Sequence, residues 1–407
     1  MLDVLRAYPE YTRKSLKFHV PAVLLDGLAQ GVAILFLVVA RKTLDASDLV
    51  ITVLTQAPVA VMLFANVAAI RMIGKPKKPY LLLAAAIGRL PYLAIFFVHD
   101  ASVYAALLFF SFFYYLWFKP AENSIFQANY DPEQRGAIFG YLNGLQLLSI
   151  LLGAFLGGMI LNHEAQNYRL LIPAAGLAGI GALLLYAFLP VRRMTYDQPL
   201  TTRIGVLDAY RNFFTALFRD RPFGRMELCF LIYGFGIIML DPLIVIFVVD
   251  DLKLDYAQMA TALGLVGQGT MLVAMPLLGR IYDRFHPTAV LSASVLGLLC
   301  FPLTLYFAHG VAGLYLAFLF RGVAMSGVNL VWNLGPIHFA QGKDSSNYMG
   351  VHMTLTGVRG LLAPIMGMGL YYLLGIRNAF LVSIAIFVVS GSLAALFAKR
   401  DVAPKGV

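Results

Sequence analysis

Long apolar runs separated by short polar clusters repeat from one end of the chain to the other. Crossing the ~30 Å hydrocarbon core of a bilayer as a helix takes about 20 apolar residues, and these runs reach that length. Lipid offers no hydrogen bonds, so a spanning segment must satisfy its own backbone, and each run is expected to be a helix. Twelve spans result: His19–Ala40, Val50–Ile70, Tyr80–Val98, Val103–Phe126, Ala137–Leu161, Leu170–Pro190, Glu227–Val249, Ala257–Leu278, Ala289–Ala308, Val311–His338, Met349–Leu374 and Ala379–Ala398. The expected fold class is therefore an all-α integral membrane protein with twelve transmembrane helices.

Most of the connections are short, which makes sequence neighbours antiparallel neighbours. The exception runs from Val191 to Met226 and divides the chain into an N-terminal six-helix half (1–190), a linker (191–226) and a C-terminal six-helix half (227–407). The linker carries Arg192, Arg193, Arg203, Arg211, Arg219, Arg221 and Arg225, and its amphipathic stretch from Leu207 to Phe218 is suited to lying on a bilayer surface. Leu44-Asp45 after span one recurs as Leu254-Asp255 after span seven, and the glycine pattern of span five recurs in span eleven at the same offset. The halves thus read as pseudo-symmetric repeats, an arrangement that places a substrate site between them near mid-depth.

Composition agrees with the bilayer as solvent: 60% of the 407 residues are hydrophobic and 13% charged, against about 25% charged in soluble domains. The net charge of +10 does not point to nucleic acid, because the basic residues sit in breaks between apolar runs rather than along a surface stripe. With the N-terminus in the cytoplasm, the outside Lys and Arg are only Arg41, Lys42, Arg169, Lys253 and Arg377, while Arg71, Lys75, Lys77, Lys78, Arg280, Arg284, Lys399 and Arg400 fall inside. That asymmetry predicts both termini in the cytoplasm of a bacterial-type inner membrane. The first eighteen residues hold Arg6, Arg13, Lys14 and Lys17 but no apolar core of a cleavable signal, so span one is expected to direct targeting. Cys229 and Cys300 lie in apolar runs without metal or redox spacing and read as packing residues. No phosphate-cradling loop, zinc-spaced set or nucleophile elbow is present, so neither an enzyme nor a cofactor is expected, and energy would come from a gradient.

Two local patterns carry more. Gly279-x-x-x-Asp283-Arg284 closes span eight, and Val67-x-x-x-Arg71-Met72-Ile73-Gly74-Lys75 occupies the equivalent place in the first half. Span five reads Gly140-x8-Ser149-x3-Gly153-Ala154-x2-Gly157-Gly158, and span eleven Gly350-x8-Arg359-x3-Ala363-Pro364-x2-Gly367-Met368. Small residues at four-residue spacing let helix backbones approach closely in any bundle. In combination with the topology, these segments resemble the signature loop and the antiporter motif of the major facilitator superfamily. His286-Pro287 departs from the loop's usual Gly-basic ending, and Arg71 stands where the family has its acid. The resemblance implies a secondary transporter working by alternating access, with Gly279, Asp283, Arg284, Gly153, Gly157 and Pro364 as conformational motif residues. It also implies that Asp283 meets the positive end of span five near Gly136–Gly140 and helps hold an outward-facing state. The span-five motif leans toward exchange rather than co-transport.

Charges inside spans cost about 2.5–3.5 kcal/mol each at a helix centre on insertion scales, and so tend to be paired or functional. Here they are Asp26, Arg89, Lys119, Glu122, Asp241, Arg321 and Arg359. The resemblance puts Arg321 and Arg359 on cavity-lining helices, where their partner would be Asp241 or an anionic substrate group. Asp26 and Arg89 are expected to pair, as are Lys119 and Glu122 three residues apart. Asp26 and Glu122 are the candidate proton carriers, because a desolvated carboxylate has a raised pKa. Asn143, Gln146, Asn329, Asn333 and His352 are candidate substrate hydrogen-bonders, with Tyr233 and Trp332 as stacking surfaces. The expected function is proton-coupled movement of a small anionic or zwitterionic solute by a monomer in contact with membrane lipid. Alternatives are an exporter or flippase of amphiphiles and a non-transporting sensor or scaffold.

Overall fold

The computed structural model describes residues 9–192, 206–254, 258–259 and 261–402; Arg6, Arg193, Arg203, Asp255 and the expected start of span eight at Ala257 lie outside the described residues. Every regular element among the described residues is helical. Among the described residues, eleven helices are long and apolar enough to cross a membrane: Glu10–Lys42, Lys78–Phe97, Ala101–Asn129, Pro132–His163, Ala165–Phe188, Arg221–Ile246, Thr261–Tyr282, Pro287–Phe307, Val311–Ala340, Ser345–Leu374 and Ile376–Asp401. Val53–Met62 and Ala65–Met72, bent by 47° at their break, supply span two and bring the total to twelve. The linker contains a helix, Val206–Arg219, whose Phe214 and Phe218 are exposed and stack on one another with ring centroids 6.0 Å apart. This is an integral, multi-pass membrane protein.

The helices cluster into two compact units. The first comprises residues 1–131, 142–210 and 340–350, and the second 132–141, 211–339 and 351–407. Within the first unit, spans one and five are in backbone contact. A Cβ on Gly27 would strike the Gln146 carbonyl and the Ser149 side chain, one on Gly31 the backbone of Ile150 to Ala154, and one on Gly153 the Leu28 backbone. The second unit repeats this crossing with spans seven and eleven, where Gly367 lies against the Met239 backbone. The glycine periodicity is thus used for close helix approach in both repeats. Gly158 meets nothing, and Pro364 sits inside span eleven.

Candidate functional site

Each unit buries a guanidinium in a niche opened by a glycine on a facing helix. In the first unit Arg89 of span three lies against Gly179 of span six, where any Cβ would meet its Nε and Cδ. Its Nη2 donates to Asp26 of span one at 2.9 Å, its Nη1 to the Tyr92 hydroxyl at 3.3 Å, and its guanidinium carbon lies 4.4 Å from the Tyr114 ring centroid. Asp26 also accepts from Gln30 at 2.6 Å and Gln146 at 3.1 Å. This acid and base, 2% and 1% exposed, pair within a polar network, with the Arg89 Nε buried and lacking a hydrogen-bond partner among the described residues.

In the second unit Arg359 of span eleven lies against Gly234 of span seven, with the same steric signature. Its partners differ. Nη1 donates to the Phe230 carbonyl and Nη2 to Thr356 Oγ1 at 3.2 Å, and the guanidinium carbon lies 5.7 Å and 5.6 Å from the Phe230 and Tyr233 rings. Its Nε is buried without a hydrogen-bond partner, and no carboxylate lies within ion-pair distance of it among the described residues. Arg359 is 4% exposed, and among the described residues its guanidinium is hydrogen-bonded by neutral groups alone.

Around this cation the structure gathers several of the expected residues. His352, two turns before Arg359, points Nδ1 at both carboxylate oxygens of Glu227 at 2.8 and 3.0 Å, and its ring meets Phe230 and Trp332 edge-on at 4.8 and 5.1 Å. The Tyr233 hydroxyl faces Met325 Sδ at 4.0 Å. Glu227 escaped the sequence reading because it opens the predicted seventh span and looks like a boundary residue. In the structure the helix begins at Arg221, which carries Glu227 a further turn and a half into the span. The signal available in the sequence was Asp220-Arg221-Pro222, an N-cap with proline in the first turn, since the Asp220 side chain accepts from Phe223 N–H.

Other expected residues lie apart from this group in their contacts. Asp241 and Arg321 approach at 3.8 Å, a loose pair with the Asp241 side chain 57% exposed, while Arg321 rests against Phe301 and Phe318. Asn333 donates to the carbonyl and the side-chain oxygen of Asn329, both at 2.9 Å. Asn143 keeps a buried carboxamide oxygen without a partner. Glu122 pairs with Lys119 at 2.6 Å and accepts from Tyr186 at 3.1 Å.

The motif loop at the end of span eight is also built from backbone outward. Gly279 and Gly136 pack carbonyl to Cα, which allows Asp283 to accept from the backbone N–H groups of Gly136 and Ala137, the latter at 2.8 Å. These are unsatisfied donors at the start of span five, where the helix dipole favours an anion. Burial raises the Asp283 carboxyl above its ordinary range, and the two N–H groups act against that rise. Arg284 is exposed.

A duplicated helical bundle with buried charges inside each repeat defines a membrane transporter fold. Comparison places it: the Major Facilitator Superfamily model matches residues 20–337 and 226–407, and the chain belongs to that superfamily, whose members are secondary transporters rather than enzymes. The human organic anion transporter MFSD10 (TETRAN) has a similar fold, at TM-score 0.76 and 17% identity, over 95% of this chain and 100% of that one. So has the E. coli fucose:proton symporter FucP, at TM-score 0.73 in its outward conformation and 14% identity, over 94% and 98%. The comparison with curated proteins returned no match.

Proposed function

We propose that this secondary transporter moves a small organic anion and couples it to protons. The observation that carries the reading is the contrast between two buried arginines. Arg89 has Asp26, whereas Arg359 has a peptide carbonyl, a hydroxyl and two aromatic faces, with no acid within ion-pair distance among the described residues. A charge with no direct ion-pair partner in a low-dielectric interior is costly, and the cost falls when a mobile anion supplies the missing half of the pair. A carboxylate fits the guanidinium fork, and Phe230, Tyr233 and Trp332 offer apolar surface for the remainder of such a molecule. His352, Asn329, Asn333, Asn143 and Gln146 are proposed as further substrate contacts, with the looser Arg321–Asp241 pair available for a zwitterion.

Asp26 and Glu122 are the proposed proton-carrying acids of the first unit, and Glu122 is the less enclosed of the two, its side chain 17% exposed. The lysine and arginine asymmetry supports an inner-membrane placement with both termini cytoplasmic, and a monomer is the working assembly.

The test is reconstitution of the full chain into liposomes that enclose a pH-sensitive dye, with pools of radiolabelled mono- and dicarboxylates added outside. Uptake of at least one anion with a matching pH change is the expected result. Uptake without a pH change removes proton coupling; no uptake of any anion by demonstrably folded protein removes the anion reading.

A further inference from the structure

Spans seven and eleven share a polar ladder of which Arg359 is one rung, and its other rung is a carboxylic acid and an imidazole. Glu227 and His352 are each 1% exposed and bonded to one another. His352 Nε2 is buried and has no hydrogen-bond partner among the described residues. A pair with a purely structural task would be expected to use that second nitrogen, since leaving a buried polar atom unsatisfied costs about 1–3 kcal/mol. A pair that binds and releases protons needs a nitrogen left over.

We infer that Glu227 and His352 form a shared proton site, and that its occupancy is tied to the charge at Arg359. The site holds one proton easily, either as carboxylate with imidazolium or as carboxylic acid with neutral imidazole, because both forms carry no net charge. Removing that proton leaves a net negative pair, which a low dielectric disfavours. What offsets this is Arg359. Its guanidinium and the His352 ring lie against the same Phe230 ring, and the charges of Arg359 and Glu227 act on each other. The Cys229 thiol on span seven is a further titratable group acting on Glu227, and the Tyr233 phenol acts on Arg359 together with Arg321 and Asp241. Trp332 of span ten is not titratable, and Ser390 of span twelve is engaged with the Cys229 carbonyl.

The sign of coupling follows. An empty Arg359 favours the deprotonated pair. An anion bound to Arg359 cancels that field and favours the protonated pair. Anion and proton therefore bind together, which is co-transport, whereas the span-five motif taken alone leans toward exchange. This inference rests on the proposed anion reading for its physiological use but not for its measurement.

Infrared difference spectra of purified protein in lipid, between about pH 5 and pH 9, need no substrate. The expected result is a titrating protonated-carboxyl component in the wild type that is missing from the spectrum of Glu227→Gln. Its midpoint should move in His352→Gln. In Arg359→Gln the midpoint should rise by about one pH unit or more, a tenfold gain in proton affinity, while Arg359→Lys, which keeps the charge, should leave it near the wild-type value. Identical titrating carboxyl bands in the wild type and Glu227→Gln, or no titrating carboxyl or imidazole signal in the wild type, overturn the proton site. An unmoved midpoint in Arg359→Gln overturns the coupling. Should Glu227→Gln fail to fold, Glu227→Asp replaces it, with a shifted midpoint expected and an unshifted one overturning the assignment. Because the spectra are read without an anion, a protein that transports none of the carboxylates but shows these bands refutes only the transport reading.

Discussion

Lys77 and Asp344 form a buried ion pair within the first unit, joining the loop after span two to the turn before span eleven. Asp344 also accepts from the Gly74 backbone N–H at 2.9 Å and from the backbone and hydroxyl of Ser346 at 3.0 and 2.8 Å, while Lys77 donates to the Met72 carbonyl at 2.6 Å. Gly74 adopts φ +64°, a left-handed turn that favours glycine and aims its N–H at the acid. Nearby, Gly350 rests against Ala69 as Gly136 rests against Gly279 in the second unit. The two crossings are related in backbone and reversed in charge. In the second unit the loop after span eight supplies the acid, Asp283, and the start of span five supplies the donors. In the first unit the loop after span two supplies the donors, and the acid comes from the turn before span eleven. The first-unit loop, which has Arg71 in place of an acid, thus meets its carboxylate from Asp344.

Breaking this pair should be expensive. Both side chains are buried, at 6% and 0% exposure, and removing one partner of such a pair typically costs about 3–5 kcal/mol. Asp344→Asn is expected to lower the thermal unfolding midpoint in detergent substantially, and Lys77→Met together with Asp344→Asn to lower it by less than the separate changes added together, because no charge is then stranded. The expectation for pH has a definite sign. Burial is the largest influence and opposes ionisation, but Lys77 and Ser346 outweigh it and hold the Asp344 carboxyl below its ordinary range. Burial likewise pulls the Lys77 ammonium below the usual lysine range; the carboxylate, with its additional fixed donors, is the better guide to the pair. A depressed folded pKa contributes stability that is full above the unfolded value of about 4 and is lost as pH falls through the folded one. The stability difference between wild type and Asp344→Asn should therefore be constant at neutral pH and shrink only below about pH 4. A difference that already shrinks near pH 6 would contradict the assignment.

The niche of Arg89 gives a second expectation. Gly179→Ala drives a methyl into a guanidinium that is pinned by Asp26, Tyr92 and Tyr114 and cannot swing away. Overpacking of this kind costs about 1–3 kcal/mol. Gly158→Ala, which meets no neighbour, is the matched control and should be neutral or slightly stabilising, since alanine is the better helix former. Equal losses in the two variants, measured by thermal unfolding, would refute the niche.

The span count and the glycine crossings were legible in the sequence because they depend on length and four-residue periodicity, both local properties. The Asp26–Arg89 pair was legible because an acid and a base in apolar runs have few other options. Pairings decided by tertiary geometry were not. Asp344 lies in a polar turn and Lys77 in a basic loop, so each looks like a solvated charge until the turn folds onto the loop. Glu227 looks like a span boundary because hydropathy registers where apolar residues begin, whereas the helix starts earlier, at its Asp220 cap.

The linker helix Val206–Arg219 presents Phe214 and Phe218 to the outside of the protein, 53% and 68% exposed, on the same chain as Arg211 and Arg219. Aromatic side chains with arginines nearby suit the headgroup boundary of an anionic leaflet. A nitroxide on Phe218→Cys in reconstituted protein should be relaxed by oxygen, which concentrates in lipid, more strongly than by a water-soluble nickel chelate. Preferential relaxation by the nickel reagent would place the helix in water.

The strongest expectation concerns Arg359 and Gly234 together. A lysine at position 359 keeps the charge but lacks the guanidinium fork that donates in two directions beside the Phe230 and Tyr233 rings, so Arg359→Lys should reduce anion uptake by tenfold or more, about 1.4 kcal/mol or greater. Gly234→Ala should reproduce that loss without touching the charge, because its Cβ would occupy the position of the guanidinium and its stem. The two effects act through one contact and should not add: the double variant should transport about as poorly as the worse single one. Fully additive losses in labelled-anion uptake would mean that Gly234 acts elsewhere in the helix pair and that the niche does not position the arginine.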